Sequence, residues 1–342
     1  MKKIAIIRRN GLGDLLCTLP LINYLQKQQS DITLFIDERN SSLLPYLPPL
    51  GKVVILPVSG NKYVNHIKAA LRHRWTGFDL ALSAKTSPMK LVNVFLFALG
   101  AKKRIAYVNK EWHSRFINAP ILFNHKESKR KHQALKVLQM VAPDLLEVPK
   151  EFYPKVIVPQ NVMERHFDLI PKNLPILLLS ASTTRSSNRF DEARYAAIVN
   201  QLYKEYGPFH VIVLGQPKDS LRAQALVSEL RMPYLLHFPR NFEEFMVLMK
   251  ASDLFFVGDG GIGHVSAALG KKGVVLFGET NPVEWAPLGE GVSTLYDPIH
   301  VNRIKDEKLL VILRSKLQEV INGRENHRDS NRLNSSQPIS TT

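Results

Sequence analysis

The sequence predicts an α/β protein with two parallel β-sheets. Short apolar segments typical of buried strands alternate with segments whose apolar residues have helical spacing. The alternation stops in a proline-punctuated stretch at residues 143–171 and then starts again. Parallel strands need helical crossovers that cover both faces of their sheet, so the pattern indicates two units of similar size.

The first predicted unit begins with a strand at residues 3–7. A helix at residues 12–28 follows, with leucines and isoleucines at positions i, i+3 and i+4. Gly100 directly follows an apolar helix at residues 91–99, as is typical of a helix C-cap. The remaining predicted elements are strands at residues 32–36, 53–56, 80–83 and 104–107 and a helix at residues 124–141.

The second predicted unit repeats the pattern. Its strands are predicted at residues 176–180, 211–214, 254–257 and 274–277, and its helices at residues 191–206, 220–230, 242–251, 262–269 and 308–321. With the linker near residues 155–172, the predicted domains are residues 1–160 and 161–322. Residues 323–342 are rich in Ser, Asn and Arg and are predicted to form a disordered tail.

The positive charge is concentrated in the first half of the chain. Residues 1–158 contain 25 Lys and Arg against 10 Asp and Glu, whereas the rest contains 21 against 20. A one-sided positive field attracts polyanions, so nucleic acid, an anionic membrane and an acidic glycolipid are all candidate partners.

The sequence favours a cytoplasmic protein without a membrane span. No apolar run reaches the roughly 18–20 residues that a transmembrane helix needs. Only four apolar residues separate Lys3 from Arg8, which is too short for a signal peptide and indicates a strand. The single cysteine, Cys17, cannot form an internal disulfide and fits a reducing compartment.

The turn after the first predicted strand contains a candidate catalytic base. Gly11 and Gly13 match the start of a dinucleotide fingerprint, but Leu16 occupies the position of the third glycine. Asp14 lies at the start of the helix, where its charge would repel a phosphate. We therefore interpret Asp14 as a general base at the carboxyl ends of the strands, where doubly wound sheets bind their ligands.

Two loops of the second half are candidate phosphate sites. Residues 258–264 contain four glycines between a strand and a helix, and free amides at such a helix start bind diphosphate. Residues 180–189 form a hydroxyl-rich loop in which Arg185 and Arg189 could hold phosphate oxygens. We find no Cys pair, no H-E-x-x-H motif and no carboxylate pair at metal-ligand spacing, so we predict no metal site.

Three sequence motifs together resemble one enzyme family. They are residues 9–14 with Thr18–Pro20, residues 259–264 with 267–269, and residues 277–282 with 285–289. Over residues 3–322 the chain resembles glycosyltransferase family 9, the bacterial ADP-heptose:lipopolysaccharide heptosyltransferases.

The resemblance implies an α/β protein of the GT-B fold, with two Rossmann-like domains facing a central cleft. It implies that residues 1–160 bind the acceptor and residues 161–322 bind the nucleotide sugar. The reaction would be an inverting, metal-independent transfer of heptose from ADP-heptose to the inner core of lipopolysaccharide. Asp14 would be the base and the nucleotide sugar would be a co-substrate, with no other cofactor.

The resemblance and the residue chemistry together assign the site residues. Donor binding is assigned to Ser182, Thr183, Thr184, Arg185, Arg189, Asp259, Gly260, Gly261, Ile262, Gly263 and His264. Acceptor binding is assigned to Arg8, Arg9, Asn10, Gly13, Lys126, Lys129, Arg130 and Lys131. The partners would be the anionic core and lipid A of the acceptor and the inner membrane surface, where a monomer would associate peripherally.

Three departures from the family pattern leave the donor sugar open. Asn188 stands where many members have lysine, Gly260 replaces a usual threonine, and Pro239-Arg240 replaces a usual Gly-Lys. A core transferase that uses a hexosyl or another nucleotide sugar is therefore the main alternative.

Two alternatives belong to other functional classes. A nucleic-acid-binding protein would interleave aromatic residues with its basic cluster, and residues 126–132 contain none. A dinucleotide oxidoreductase would use Gly11, Gly13 and Asp37, but the missing third glycine and Asp14 count against it.

Overall fold

The computed structural model describes residues 1–180, 182–183 and 185–335. The chain forms two compact units: unit 1 comprises residues 1–157 and 281–289, and unit 2 comprises residues 158–280 and the chain from residue 290 onward. Each unit contains a six-stranded sheet in which every strand pair is parallel. The predicted α/β class with two parallel sheets is therefore confirmed.

Unit 1 contains the first twelve α and β elements. In chain order they are β1 (Lys3–Arg8), α1 (Leu12–Leu16), α2 (Leu19–Lys27), β2 (Asp31–Asp37), β3 (Lys52–Leu56), α3 (Lys62–His73), β4 (Leu80–Ser83), α4 (Lys90–Leu99), β5 (Lys103–Val108), β6 (Ala119–Leu122), α5 (His125–Ser128) and α6 (Gln133–Leu138). The strand order is β3-β2-β1-β4-β5-β6. This order reverses between β1 and β4, which makes the carboxyl ends of these two strands the expected ligand position.

Two helices that the sequence predicts as continuous are broken. The predicted helix at residues 12–28 is α1 and α2, because Pro20 lacks an amide hydrogen and fits only the first turn of a helix. The predicted helix at residues 124–141 is α5 and α6. His132 is extended between them and caps α6 by accepting a hydrogen bond from the amide of Ala134. Gly100 caps α4 in the left-handed conformation, as predicted.

The remaining elements continue the numbering. They are α7 (Gln160–Arg165), β7 (Ile176–Ser180), α8 (Glu192–Tyr206), β8 (His210–Leu214), α9 (Ser220–Ser228), β9 (Tyr234–His237), α10 (Phe242–Ala251), β10 (Leu254–Gly258), α11 (Gly261–Ala268), β11 (Lys272–Phe277), α12 (Pro282–Trp285), β12 (Val292–Tyr296) and α13 (Asp306–Ser335). Of these, α12 belongs to unit 1 and the others to unit 2.

The sheet of unit 2 has the same topology as that of unit 1. Its order is β12-β11-β10-β7-β8-β9, so the reversal lies between β7 and β10. The buried rings of Phe190, Tyr195 and Phe256 pack edge to face below these strands and anchor α8 on the sheet. The loops after β7 and β10 therefore start from a rigid base.

Several elements differ from the sequence-based expectation. Six elements were not predicted from the sequence, because they are short or their apolar residues are few or half-exposed: α3, α7, α12, β6, β9 and β12. The prediction of a disordered tail from residue 323 is corrected for residues 323–335, because α13 continues to Ser335; residues 336–342 lie outside the described residues. None of the helices within the described chain combines the length and the apolar composition that crossing a bilayer requires.

Candidate active site

Asp14 in unit 1 is held by the buried guanidinium group of Arg8. Arg8 ends β1 and is 2% exposed; one of its terminal nitrogens bonds a carboxylate oxygen of Asp14 and the other bonds the carbonyl oxygen of Ala84, just after β4. The amide of Gly11 also points to the Asp14 carboxylate, at 3.4 Å. Asp14 therefore lies at the carboxyl ends of β1 and β4 and remains partly exposed.

The turn between Arg8 and Gly11 is fixed by Asp37 at the end of β2. Its carboxylate accepts from Nε of Arg9 and from the amide of Asn10, each at 3.3 Å. Asn10 has a positive φ of 87°, a conformation that asparagine tolerates. Both Asp37 oxygens are used inside the turn, which counts against the ribose-binding role that a dinucleotide enzyme would need. Gly13 lies in the short helix α1.

The predicted basic cluster is exposed and lies on a turn rather than on one continuous helix. Lys126 belongs to α5, whereas Lys129, Arg130 and Lys131 lie between α5 and α6. Lys131 bonds Oε1 of Gln139 at 3.1 Å. The other three ammonium and guanidinium groups are directed to solvent.

A buried polar network next to this cluster was missed by the sequence analysis. Nζ of Lys136, which is 2% exposed, lies 3.0 Å from Oε1 of Glu284. Gln133 donates to the same oxygen at 3.1 Å and bonds the hydroxyl of Thr86 through its own carbonyl oxygen. The network thus joins the loop after β4 to residues 281–289.

Residues 281–289 are fixed on unit 1 by further contacts. The side chain of Asn281 donates to the carbonyl oxygen of Lys129 at 2.8 Å, and Nε2 of His132 bonds the carbonyl oxygen of Ala286 at 2.8 Å. Trp285 packs on a cluster that includes buried Cys17. Burial raises the pKa of the Cys17 thiol to about 12, so this cysteine is a core residue and not a nucleophile.

In unit 2, three loops converge on one buried side chain. Asn188, in the loop after β7, donates from Nδ2 to Oδ2 of Asp259 at 3.1 Å and to the hydroxyl of Thr280 at 3.2 Å. Its Oδ1 accepts from the amide of Gly278 at 2.8 Å. Asp259 follows β10, and the other two residues follow β11, so one amide group holds the ends of all three loops.

Glycine is required where these loops meet. A Cβ atom at Gly258 would lie 2.8 Å from the carbonyl oxygen of Asn188, and one at Gly278 would overlap the carbonyl of Ser187. The ends of β10 and β11 can therefore approach the backbone of Ser187 and Asn188 this closely only because positions 258 and 278 have no side chain.

Burial and the neighbouring groups shift the pKa of the Asp259 carboxyl in opposite directions. Burial raises the pKa of its carboxyl, while hydrogen bonds from Thr280 and Asn188 and the charge of Arg185 act in the opposite direction. Arg185 also bonds the Thr280 hydroxyl, so it belongs to the same cluster. Arg189 is exposed, and its side chain makes no hydrogen bond or ion pair with the described residues.

The start of α11 presents free backbone amides. Gly260 is its N-cap and supplies no side-chain hydrogen bond, and the first turn of Gly261, Ile262 and Gly263 contains no acidic residue. This helix start therefore keeps a positive partial charge, unlike α1, whose first turn contains Asp14. His264 is buried in the same helix.

The hydroxyl residues of the loop after β7 are only partly engaged. Ser182 accepts a hydrogen bond from the amide of Gln216 at 2.9 Å. The buried hydroxyl of Thr183 has no partner among the described residues, and Thr184 lies outside them. Within the described residues there is no group of three His, Cys, Asp or Glu side chains that could hold a metal ion.

Comparison with known proteins identifies the family. Residues 66–307 match the model of glycosyltransferase family 9 (heptosyltransferase). The chain belongs to glycosyltransferase family 9. It is also similar to lipopolysaccharide heptosyltransferase 1 of Campylobacter coli, with 22% identity over 301 residues that cover 81% of this chain and 84% of the relative.

Solved structures show that this family 9 glycosyltransferase has the predicted GT-B fold. A glycosyltransferase family 9 protein from Veillonella parvula superposes with a TM-score of 0.78 at 16% identity, covering 93% of this chain and 97% of that one. For E. coli ADP-heptose lps heptosyltransferase II the TM-score is 0.74 at 18% identity, with coverage of 93% and 99%. E. coli heptosyltransferase WaaC with ADP gives 0.67 at 14% identity, with coverage of 92% and 99%.

The structure of this family 9 glycosyltransferase brings some of the predicted site residues together and adds two residues that were not predicted to belong to the site. Asp259, Arg185 and the start of α11 lie in one cluster of unit 2, and Thr280 and Asn188 complete it. From the sequence, Asn188 was visible only as a departure from the pattern that the resemblance implies. The motif at residues 277–282 was the signal that could have identified Thr280. The family match begins after Asp14, so the role of that residue stays a prediction.

Proposed function

We propose that this glycosyltransferase moves heptose from ADP-heptose to the inner core of lipopolysaccharide, with inversion at the anomeric carbon. The observation that carries the proposal is the convergence of Asp259, Arg185 and the uncapped start of α11 in unit 2. The similarity to the C. coli lipopolysaccharide heptosyltransferase supports the choice of acceptor, and the structural likeness to E. coli heptosyltransferase WaaC with ADP supports the choice of nucleotide.

The proposed donor site meets the charge of the leaving diphosphate with protein groups. Amides at Gly261, Ile262 and Gly263 point out of the start of α11, where the helix dipole favours an anion. Arg185 adds a full positive charge beside Thr280. Such preorganised donors stabilise the charge that develops as the bond between the anomeric carbon and the diphosphate oxygen breaks.

The proposed base is Asp14. Its carboxylate takes the proton of an acceptor hydroxyl while the hydroxyl oxygen bonds the anomeric carbon. Arg8 is buried and fixed to the carbonyl oxygen of Ala84, so it holds the carboxylate in one orientation. A positioned general base typically accelerates the reaction by about 10²–10⁴-fold.

The proposed acceptor contacts use the exposed basic cluster of unit 1. Phosphate or carboxylate groups of a lipopolysaccharide core suit the exposed side chains of Lys126, Lys129, Arg130 and Lys131. Arg9 and Asn10 lie in the turn that precedes α1, the helix of Asp14. The enzyme would act as a monomer on the cytoplasmic side of the inner membrane and associate with its anionic surface peripherally.

A matrix of donors and acceptors tests the substrate assignment. The purified full chain is incubated with ADP-heptose, UDP-hexoses or GDP-hexoses and with lipopolysaccharides truncated at successive core positions. We expect transfer from ADP-heptose to a truncated inner core. The departures at Asn188 and Gly260 motivate the alternative donor, and transfer from a UDP- or GDP-hexose alone would establish that alternative.

The role of Asp14 is tested with Asp14→Asn, which keeps the shape and an oxygen acceptor for Arg8. The turnover number should fall by about 10²–10⁴-fold, while the Kd for ADP measured by calorimetry stays unchanged. Asp144→Asn removes an exposed carboxylate of the same unit and serves as the matched control. Retained turnover in Asp14→Asn would refute the base assignment.

A further inference from the structure

Unit 1 exposes a group of large apolar side chains that its core does not use. Trp75 is 90% exposed, Trp112 51%, and Leu71 and Phe97 49% each. Single exposed apolar residues are ordinary on protein surfaces, whereas contiguous apolar patches mark sites of interaction.

The exposed rings form a continuous stripe along α4. Phe97 stacks on Phe116 with ring centroids 4.5 Å apart, and Trp112 packs edge-on against the same Phe116 ring at 5.7 Å. Nζ of Lys90 lies 5.0 Å from the Trp112 ring, and the Arg104 guanidinium lies 5.8 Å from the Phe97 ring. Lys90 and Phe97 are seven residues apart and so share one face of the helix.

Arg74, which precedes Trp75 in the chain, packs on the end of α4. Its Nη1 donates to the carbonyl oxygen of Ala98 at 2.9 Å, and its side chain packs on Gly100, where a Cβ atom would lie 3.2 Å from Cγ. Arg104 donates to the carbonyl oxygen of Ala101 at 2.7 Å. Both cations therefore stay at the negative end of the α4 dipole.

The stripe lies in a strongly basic part of the chain. Residues 62–76, 90–104 and 111–116 contain nine Lys and Arg and a single acidic residue, Glu111. Glu111 is engaged by the side chains of Asn109 and His113, at 2.7 and 2.8 Å. We name the stripe and its cations the aromatic–basic surface: Leu71, Arg72, Arg74, Trp75, Lys90, Phe97, Arg104, Trp112, Arg115 and Phe116.

This surface is separate from the residues proposed for acceptor binding. Helix α4 packs on α3 and on residues 112–116, whereas α2 packs on α6. Right-handed crossovers from a doubly wound sheet put these two layers on opposite faces. The basic cluster at residues 126–131 adjoins α6 and therefore does not belong to the aromatic–basic surface.

We propose that the aromatic–basic surface docks unit 1 on an anionic lipid bilayer. Tryptophan and phenylalanine rings partition into the boundary between headgroups and acyl chains, and flanking Lys and Arg side chains bind lipid phosphates. Each basic group near an anionic bilayer adds to the attraction, which salt weakens. The inference rests on the proposed function, which already includes peripheral association with an anionic membrane, and adds the surface that makes the contact.

A bilayer fits these side chains better than a nucleic acid does. Bases stack on free aromatic faces along a groove. Phe97 is already stacked on Phe116, and Lys90 covers Trp112. Leu71 has no ring on which a base could stack, but an aliphatic side chain inserts readily among acyl chains.

The test is sedimentation of the full chain with vesicles of phosphatidylglycerol and phosphatidylethanolamine, compared with vesicles of phosphatidylcholine. The wild type should bind the anionic vesicles preferentially, and high salt should weaken binding. The double variant Trp75→Ala/Trp112→Ala should bind at least about tenfold less. Arg72→Gln/Arg115→Gln should bind the anionic vesicles more weakly, and salt should weaken its binding less than that of the wild type. Leu146→Ala, at an exposed leucine outside the surface, is the matched control.

Tryptophan fluorescence measures the insertion of the aromatic–basic surface into the bilayer. In a Trp285→Phe background, Trp75 and Trp112 are the two remaining tryptophans, and brominated acyl chains should quench their emission.

Vesicle binding that is equal in the wild type and the tryptophan double variant would overturn the proposal, as would preferential binding to a polyuridine RNA. Transfer to a deacylated, soluble core acceptor should be unchanged in the double variant. Failure of transfer with every donor would count against the proposed function and leave the vesicle result standing.

Discussion

The side-chain amide of Asn188 donates a 3.1 Å hydrogen bond to the carboxylate of Asp259, which lies 71 residues further along the chain. The same buried amide group also bonds Thr280 and Gly278. Asn188 is therefore a positioning residue that connects the ends of β7, β10 and β11. The positive charge beside Asp259 comes from Arg185.

Asn188→Ala should loosen the proposed donor site and destabilise unit 2. The substitution leaves the Gly278 amide without its partner, which typically costs about 1–3 kcal/mol for a buried group. We expect weaker ADP binding in calorimetry and a lower midpoint in urea unfolding. Gln224→Ala, at an exposed position of α9, is the control for both. ADP affinity equal to that of the wild type would show that Asn188 does not organise the donor site.

Arg185→Ala should reduce transfer much more than Arg189→Ala. Arg185 bonds the hydroxyl of Thr280 in the cluster around Asp259, whereas the Arg189 side chain makes no hydrogen bond or ion pair with the described residues. Loss of a group that stabilises developing charge commonly lowers kcat by about 10²–10³-fold. Steady-state kinetics of both variants make the comparison, and Arg185→Lys should retain part of the activity. A larger effect at Arg189 would reverse the assignment.

The buried pair of Lys136 and Glu284 should show strong coupling. Removing one partner leaves a buried charge without its counter-charge, so Lys136→Met alone should lower the free energy of unfolding by about 3–5 kcal/mol. The double variant Lys136→Met/Glu284→Gln should recover part of that loss. Chemical denaturation of the four proteins of the cycle measures the coupling. Lys102→Met breaks an exposed pair with Asp79 and should change little; simple additivity at Lys136 and Glu284 would contradict the prediction.

Unit 1 should lose stability in mild acid partly through His132. Burial and the nearby charge of Lys136 lower the pKa of His132, against the opposing bond to Ala286 and the charge of Glu284. The unfolded chain then takes up the proton at a higher pH than the folded chain. The stabilisation is therefore full above the unfolded pKa of about 6.5 and is lost as pH falls through the lower folded pKa.

Denaturation at pH 8, 6 and 5 measures this loss, and His132→Asn should make the slope shallower. The pKa of His66 is also lowered, mainly by burial, and acts in the same direction, so part of the slope should remain. A slope unchanged by His132→Asn would exclude His132 as a contributor.

Local patterns were enough to predict much of the fold and part of the candidate site. The strands at residues 80–83 and 176–180 were predicted with the bounds that the structure has, because a buried parallel strand is a short apolar run whatever surrounds it. The motifs around Asp14 and Asp259 were visible because a strand end, glycines and a helix start follow one another in the chain.

The sequence by itself determined the two parallel sheets, the glycine-rich start of α11 and the carboxylate at the start of α1. Only the tertiary structure decided that residues 281–289 pack on unit 1 and that Lys136 pairs with Glu284, 148 residues further along the chain. It also decided that the Asn188 side chain joins three loops. The physical reason is the range of the interactions. Hydrophobic spacing and glycine conformations act over a few neighbouring residues, whereas a buried charge or amide is stabilised by whichever distant group the folded chain brings beside it.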